Sequence, residues 1–186
     1  MLTLQVVICS TRPSRAGAPV AQWFFEEAKK YGKLKVELID LKEVNLPVFD
    51  EPEHPRLQKY QHEHTKKWSA IADRADAYVF VTPEYDYGIP PSLLNALVYL
   101  NKEWSRKVAG IVSYGGVSAG TRAAQALKPT LAALNMMPLP FGVSIPFFNK
   151  LITDGVFNPG DSQAAGVKMM LDELVVWGDA LKPTRS

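Results

Sequence analysis

Residues 2–24 read LTLQVVICSTRPSRAGAPVAQWF, and the changes of character within this stretch decide the fold. Leu2 to Cys9 is a largely apolar run rich in leucine and β-branched residues, ending in small polar ones. A run of this kind suits a strand covered on both faces, as parallel strands are. Ser10 to Gly17 follows as a loop of hydroxyl and guanidinium side chains. Val20, Trp23, Phe24 and Tyr31 then fall on one helical stripe, with Glu26, Glu27, Lys29 and Lys30 on the solvated side. Strand, polar loop and amphipathic helix in this order open a βαβ unit.

The same alternation continues outward. Lys33 to Asp40 reads as a second strand, and Lys42 to His64, rich in Pro, Glu and His, as a long surface excursion that can serve as a flap. Trp68, Ile71, Ala72 and Ala75 keep helical spacing. Ala77 to Val81 is a third strand ending in Thr82-Pro83, and Pro90-Pro91 opens an apolar helix to about Asn101. Val108 to Ser113 is a fourth strand. The helix from about Ala119 to Leu134 contains Pro129, which should kink or break it. Leu139 to Ile145 supplies a fifth strand with a proline in it, hence an edge. A last helix presents Val167, Met170, Leu171, Leu174, Val175 and Gly178. Strands alternating with helices predict an α/β fold. It is expected to be a flavodoxin-like three-layer sandwich on a five-stranded parallel sheet of order 2-1-3-4-5, with residues 1–186 as one domain.

Composition narrows the partners. A net charge of +2 offers no broad basic field for nucleic acid. No apolar run approaches the roughly 20 residues of a membrane span. Cys9 is the one cysteine, which permits a reducing, cytoplasmic setting.

Ligands of such sheets bind beyond the carboxyl ends of the strands, where three unusual loops lie. In the first, Ser10, Thr11 and Ser14 with Arg12 and Arg15 surround a helix N-terminus, a site for phosphate. A plain turn capped by Ser10 or Ser14 needs fewer of these groups. The loop also spells Cys-x5-Arg from Cys9 to Arg15, the nucleophile loop of low-molecular-weight phosphatases. Against that chemistry, Ala16 replaces a hydroxyl that tunes the thiolate, Pro13 removes an amide and no Asp-Pro acid follows. Cys9 reads better as the last buried residue of its strand. The second loop, Thr82 to Ser92, places Tyr85 and Tyr87 between Pro83 and Gly88, suiting a flat ring; either tyrosine could instead pack the core edge or a second subunit. Glu84 reads as a bracing carboxylate rather than an acid/base. In the third, Ser113 to Thr121, Gly115-Gly116 lets backbone approach a planar ligand. His54, His62 and His64 read as surface histidines rather than metal ligands.

Ser10-Thr11-Arg12 with Arg15, Thr82-Pro83-Glu84-Tyr85-Asp86-Tyr87-Gly88-Ile89-Pro90 with Leu93-Leu94-Asn95-Ala96, and Ser113-Tyr114-Gly115-Gly116 together resemble the NADPH-dependent FMN reductase family from residue 2 to about 140. The resemblance implies FMN as cofactor and NADPH, or NADH, as co-substrate. It implies ping-pong reduction of a small-molecule acceptor (a quinone, free flavin, azo compound or metal oxyanion) with the chemistry on FMN and no catalytic side chain. It places the FMN phosphate on Ser10, Thr11, Arg12 and the turn from Arg15 through Gly17 to Ala18. It frames the ring with Pro83, Glu84, Tyr85, Asp86, Tyr87 and Gly88 and with Ser113 to Gly116. A homodimer or homotetramer is implied, with the Leu93 to Leu100 helix near the interface. A non-enzymatic flavodoxin-type electron carrier is the rival, and a pI near 8.6 argues against it. Three departures from the family pattern stand out: Cys9 for Gly, Asp86 for Asn, and Gly17-Ala18 for a Ser-x-Asn phosphate loop. A carboxylate at 86 lowers the flavin potential if it points inward and changes nothing if it points to solvent.

Overall fold

Strand β1 (Leu2–Ile8) lies inside a parallel sheet, as its two-sided apolarity demands. On one side β2 (Leu34–Asp40) pairs from Leu2↔Leu34 to Ile8↔Asp40; on the other β3 (Ala77–Pro83) pairs from Leu4↔Ala77 to Ile8↔Val81. β4 (Val108–Tyr114) adds to β3, and two short pieces, β5 (Met137–Pro138) and β6 (Val143–Ile145), add to β4. The path is β2-β1-β3-β4-β5, the predicted order. The structure is a computed structural model that describes residues 1–185.

Alternation along the strands sorts the core into two layers. Leu4, Val6, Ile8, Val79 and Val81 face α1 (Gly17–Tyr31) and α6 (Asp161–Leu181), whose Val20, Phe24, Met170 and Leu174 are buried against them. Val7, Cys9, Tyr78 and Phe80 face α3 (Glu63–Asp73), α4 (Pro91–Val98) and α5 (Thr121–Ala133), through Trp68, Leu93, Leu97, Leu127 and Leu131. These two layers and the sheet make the three-layer sandwich.

Three expectations need correction. The fifth strand is split: Leu139 still donates to Ala109 O at 2.8 Å, but Pro138 and Pro140 have no N–H to donate, and pairing resumes only at Val143. Pro129 does not break α5, which continues through it. The excursion is a pinned strap rather than a loose flap. It carries a short helix α2 (Leu41–Val44), and the buried Glu103 accepts from Tyr60 Oη at 2.9 Å and Ser69 Oγ at 2.6 Å. Asp50 takes His64 at 2.9 Å and Tyr99 Oη at 2.8 Å, while the rings of His62 and His64 stack. Past the last predicted strand, β7 (Ile152–Thr153) and β8 (Val156–Phe157) form a small antiparallel hairpin whose Phe157 packs on Trp23.

Candidate cofactor site

The three loops converge on a cavity of about 260 Å³ at the carboxyl ends of β1, β3 and β4. Its wall from the first loop is Ser10, Arg12, Ser14, Arg15 and Ala16. The second loop contributes Pro83, Glu84 and Tyr85, and the third Tyr114, Gly115 and Gly116. Thr11 faces a separate apolar groove beside α4, Ser113 lies behind the loop near α5, and Gly17, Ala18, Asp86, Tyr87 and Gly88 do not line the cavity.

The start of α1 has the marks of an anion site. Its N-cap is Ala16, no side chain caps it and its first turn holds no acid, so neither Ser10 nor Ser14 is a mere cap. Arg15 is mostly buried. One amino group pairs with Asp40 at the end of β2, while Nε and Nη1 are buried without a partner. Unpaired buried guanidinium donors are costly unless an acceptor arrives. Arg12 is exposed, lies 5.7 Å from the Tyr85 ring and forms no ion pair among the described residues, so its charge is free to meet an anion. Ser10 Oγ and Tyr85 Oη share a hydrogen bond of 2.5 Å across the cavity. These donors fit a phosphate group.

Tyr114 is at the phosphate end, beside the start of α1. Its ring is buried, and a Cβ on Gly17 would lie 3.0 Å from its Cζ. Burial pushes the Tyr114 phenol up, so it remains a protonated donor. Gly115 and Gly116 differ in purpose. A Cβ on Gly115 would stand 2.9 Å from Gly120 N, so that glycine is required by the chain itself, whereas Gly116 has open space beside its Cα and a carbonyl already taken by Ala119 N and Phe147 N.

The bracing role of Glu84 is plain. It accepts from Arg122 N at 3.1 Å, Arg122 Nε at 2.7 Å and Ser118 Oγ at 3.2 Å, tying the second loop to α5. The hydrogen bond from Arg122 holds its carboxyl below the usual range, which suits a fixed anion and not a proton donor. Arg122 in turn lies 3.7 Å over the exposed Tyr87 ring. Asp86 (φ 47°) and Tyr87 (φ 67°) form a tight turn in which Tyr85 and Gly88 exchange backbone hydrogen bonds of 2.8 and 3.2 Å. Asp86 is exposed there, with no partner among the described residues.

Phe148 is the lining residue that the sequence reading missed. Its ring meets Tyr114 edge-on at 5.1 Å, and Phe147 N donates to Gly116 O at 3.1 Å, laying the segment after β6 onto the third loop. An aromatic pair directly after a strand end was the available signal. Cys9 is excluded as a nucleophile: it is fully buried, it is absent from the cavity, and burial pushes its thiol well up.

The NADPH-dependent FMN reductase family matches the chain over residues 2–150. An NAD(P)H-dependent FMN reductase of Schizosaccharomyces pombe is 37% identical over 156 residues, covering 83% of this chain and 78% of the relative. A quinone reductase of Pseudomonas putida is 33% identical over 140 residues, 72% of each chain. The solved structure of a flavoenzyme NAD(P)H:acceptor oxidoreductase from Paracoccus denitrificans shares the fold with a TM-score of 0.77. The two are 20% identical, and the match covers 97% of this chain and 99% of that one.

Proposed function

The chain belongs to the NADPH-dependent FMN reductase family, an oxidoreductase family using FMN and NAD(P)H, and from that premise we propose that the cavity at the ends of β1, β3 and β4 is its FMN site. We propose further that the acceptor is a quinone, free flavin, azo compound or metal oxyanion. Bound FMN supplies the hydride chemistry. The chain supplies position and charge. Ser10, Ser14, Arg12, the amides at the start of α1, Arg15 Nε and Nη1 and the Tyr114 hydroxyl would hold the phosphate. The backbone N–H groups of Glu84 and Gly116 would hold the ring edge, with the Glu84 carboxylate and Arg122 fixing the loop behind it. At about 260 Å³ the cavity is small beside the roughly 300–1,000 Å³ of typical ligand sites, so the ring would lie across its rim, open to nicotinamide and acceptor in turn. The single observation that carries the reading is the uncapped start of α1 beside the two unpartnered buried donors of Arg15.

Arg12→Ala should weaken FMN binding about 10- to 100-fold, the effect of losing a charge-assisted contact to phosphate, with the fold intact because the side chain is exposed. FMN fluorescence titration of the apoprotein measures it. Steady-state oxidation of NADPH and NADH against a panel of quinones, azo dyes and free flavins identifies the acceptor, and parallel double-reciprocal lines mark ping-pong turnover. A yellow protein that oxidises neither nicotinamide supports the electron-carrier reading instead. A protein that cannot be loaded with FMN overturns both. We also propose a homodimer or homotetramer, supported by Leu94 and Val98 of α4, which are each 41% exposed; size-exclusion chromatography with light scattering tests it.

A further inference from the structure

A second polar pocket, of about 340 Å³, lies at the opposite end of the sheet, where β4 begins. β4 runs for seven residues from there to Tyr114, so about 23 Å of strand separates this pocket from the cofactor cavity. Its wall carries four cations, Lys102, Arg106, Lys107 and Arg185, and one carboxylate, Asp73, in a chain whose net charge is only +2.

These cations are not equivalent. Arg185 is committed, with Nη1 on Asp76 at 2.6 Å and Nε on the Arg106 carbonyl at 3.0 Å. Lys107 is 4% exposed. Its ammonium donates to the carbonyls of Ala72 at 3.2 Å and Asp73 at 3.0 Å, neutral acceptors at the end of α3. Lys102 and Arg106 are exposed and form no ion pair among the described residues. Arg106 also sits at φ 57°, a left-handed conformation costing an arginine about 1 kcal/mol or more, and is held there by its N–H on Asn135 O at 2.7 Å. Cations near helix C-termini are favourable in themselves, and Lys107 serves the end of α3 in that way. That role accounts for neither Lys102 and Arg106 nor the cavity between them.

We propose that this pocket binds a small phosphate-bearing polyanion, with Lys102 and Arg106 as its charged ligands and Lys107 as the buried cation behind them. Matching charge and several donors around one concave site are the requirements for such an anion. Of the carboxylates near Lys107, Asp76 is paired with Lys182 and Arg185 and the buried Glu103 accepts from Tyr60 and Ser69, which leaves Asp73 as the one carboxylate in the wall facing Lys102, Arg106 and Lys107. The phosphate can come from a free inorganic anion or from a nucleotide.

The test uses FMN-loaded protein, so that the cofactor cavity is filled, and isothermal titration at pH 7 with pyrophosphate and, separately, with ADP. One-to-one binding of at least one of them is expected. Tighter pyrophosphate identifies the free anion as the ligand, and tighter ADP the nucleotide. The combined Lys102→Ala and Arg106→Gly variant should weaken binding about 100-fold or more, from roughly tenfold or more for each of the two lost charged contacts, while FMN content and NAD(P)H oxidation stay unchanged. Glycine at 106 relieves the left-handed backbone, so loss of binding together with an unchanged or raised melting temperature cannot be ascribed to unfolding. No binding of either anion at 10 mM (roughly the weakest affinity of interest), or equal affinity in the variant, overturns the proposal.

Discussion

Gly17 stands where the start of α1 meets the buried Tyr114 ring, against which Phe148 also packs at 5.1 Å. A methyl at this position would overlap the Tyr114 hydroxyl, and with the ring wedged the phenol must leave its place. Gly17→Ala should therefore weaken FMN binding about tenfold and destabilise the fold by about 1–3 kcal/mol, the usual range for overpacking. Fluorescence titration and urea unfolding measure the two effects; unchanged affinity would remove Tyr114 from the phosphate site. Asp86 supports a second test. Because it is exposed in the Tyr85–Gly88 turn, Asp86→Asn should leave the flavin reduction potential where it is, and asparagine tolerates the left-handed backbone equally well. Coincident reductive titrations are expected, and a raised potential in the variant would place the carboxylate beside the ring. The residue chemistry of the first loop was legible because hydroxyls and guanidiniums stand in sequence at a strand-to-helix junction. The pairing of Arg15 with Asp40 was not: they lie 25 positions apart, and only the β1–β2 register, which sets Ile8 beside Asp40, brings them together.

At the scale of elements, α5 shows local propensity losing to tertiary contact. Leu127 and Leu131 are fully buried on either side of Pro129, and burying two leucines outweighs one missing backbone hydrogen bond. The proline itself is exposed, as is Gln125, whose carbonyl lacks the helical partner and can turn to water. Pro129→Ala should accordingly stabilise the protein by about 1–3 kcal/mol, read as a higher urea midpoint with an unchanged m-value. No gain would mean that the helix is already distorted there in a way alanine does not repair. The strap from 42 to 64 was illegible for a related reason. Its apolar periodicity is poor because polar contacts pin it: Glu51 takes the N–H groups of Gln61 and His62, Glu103 takes Tyr60, and Asn95 binds Pro47 O at 2.6 Å. Such contacts join residues far apart in sequence and leave no pattern along it.

Across the whole molecule, the sheet order was legible because apolar strands and amphipathic helices alternate, and chain connectivity then allows few arrangements. The split edge and the hairpin at 152–157 depend on where prolines interrupt pairing, which periodicity does not record. The sheet also sets a property that no single element has, the pH dependence of stability. At its amino end Asp76 joins β1, through Thr3 N, to the C-terminal Lys182 and Arg185; burial alone would raise its carboxyl, and these donors overcome that and lower it. Stability from Asp76 is therefore present above its ordinary value of 3.8 and is lost as pH falls below it. Lys107, close by, works in the opposite direction. Burial pushes its ammonium from 10.5 down to about 8. Below pH 8 both folded and unfolded chains carry the proton, and the folded chain bears the full cost of a buried charge. Between pH 8 and 10.5 the folded chain releases the proton while the unfolded chain keeps it, so this cost is relieved as pH rises. Over the same range the thiol of Cys9 and the buried tyrosines, all shifted upward, begin to favour the unfolded chain, so wild-type stability alone does not isolate the effect. The comparison with Lys107→Met does. From urea unfolding at pH 7.5 and 9.5 (roughly either side of the shifted value), wild type should gain about 1–2 kcal/mol relative to the variant at the higher pH. A constant difference would mean that Lys107 keeps its proton in the fold.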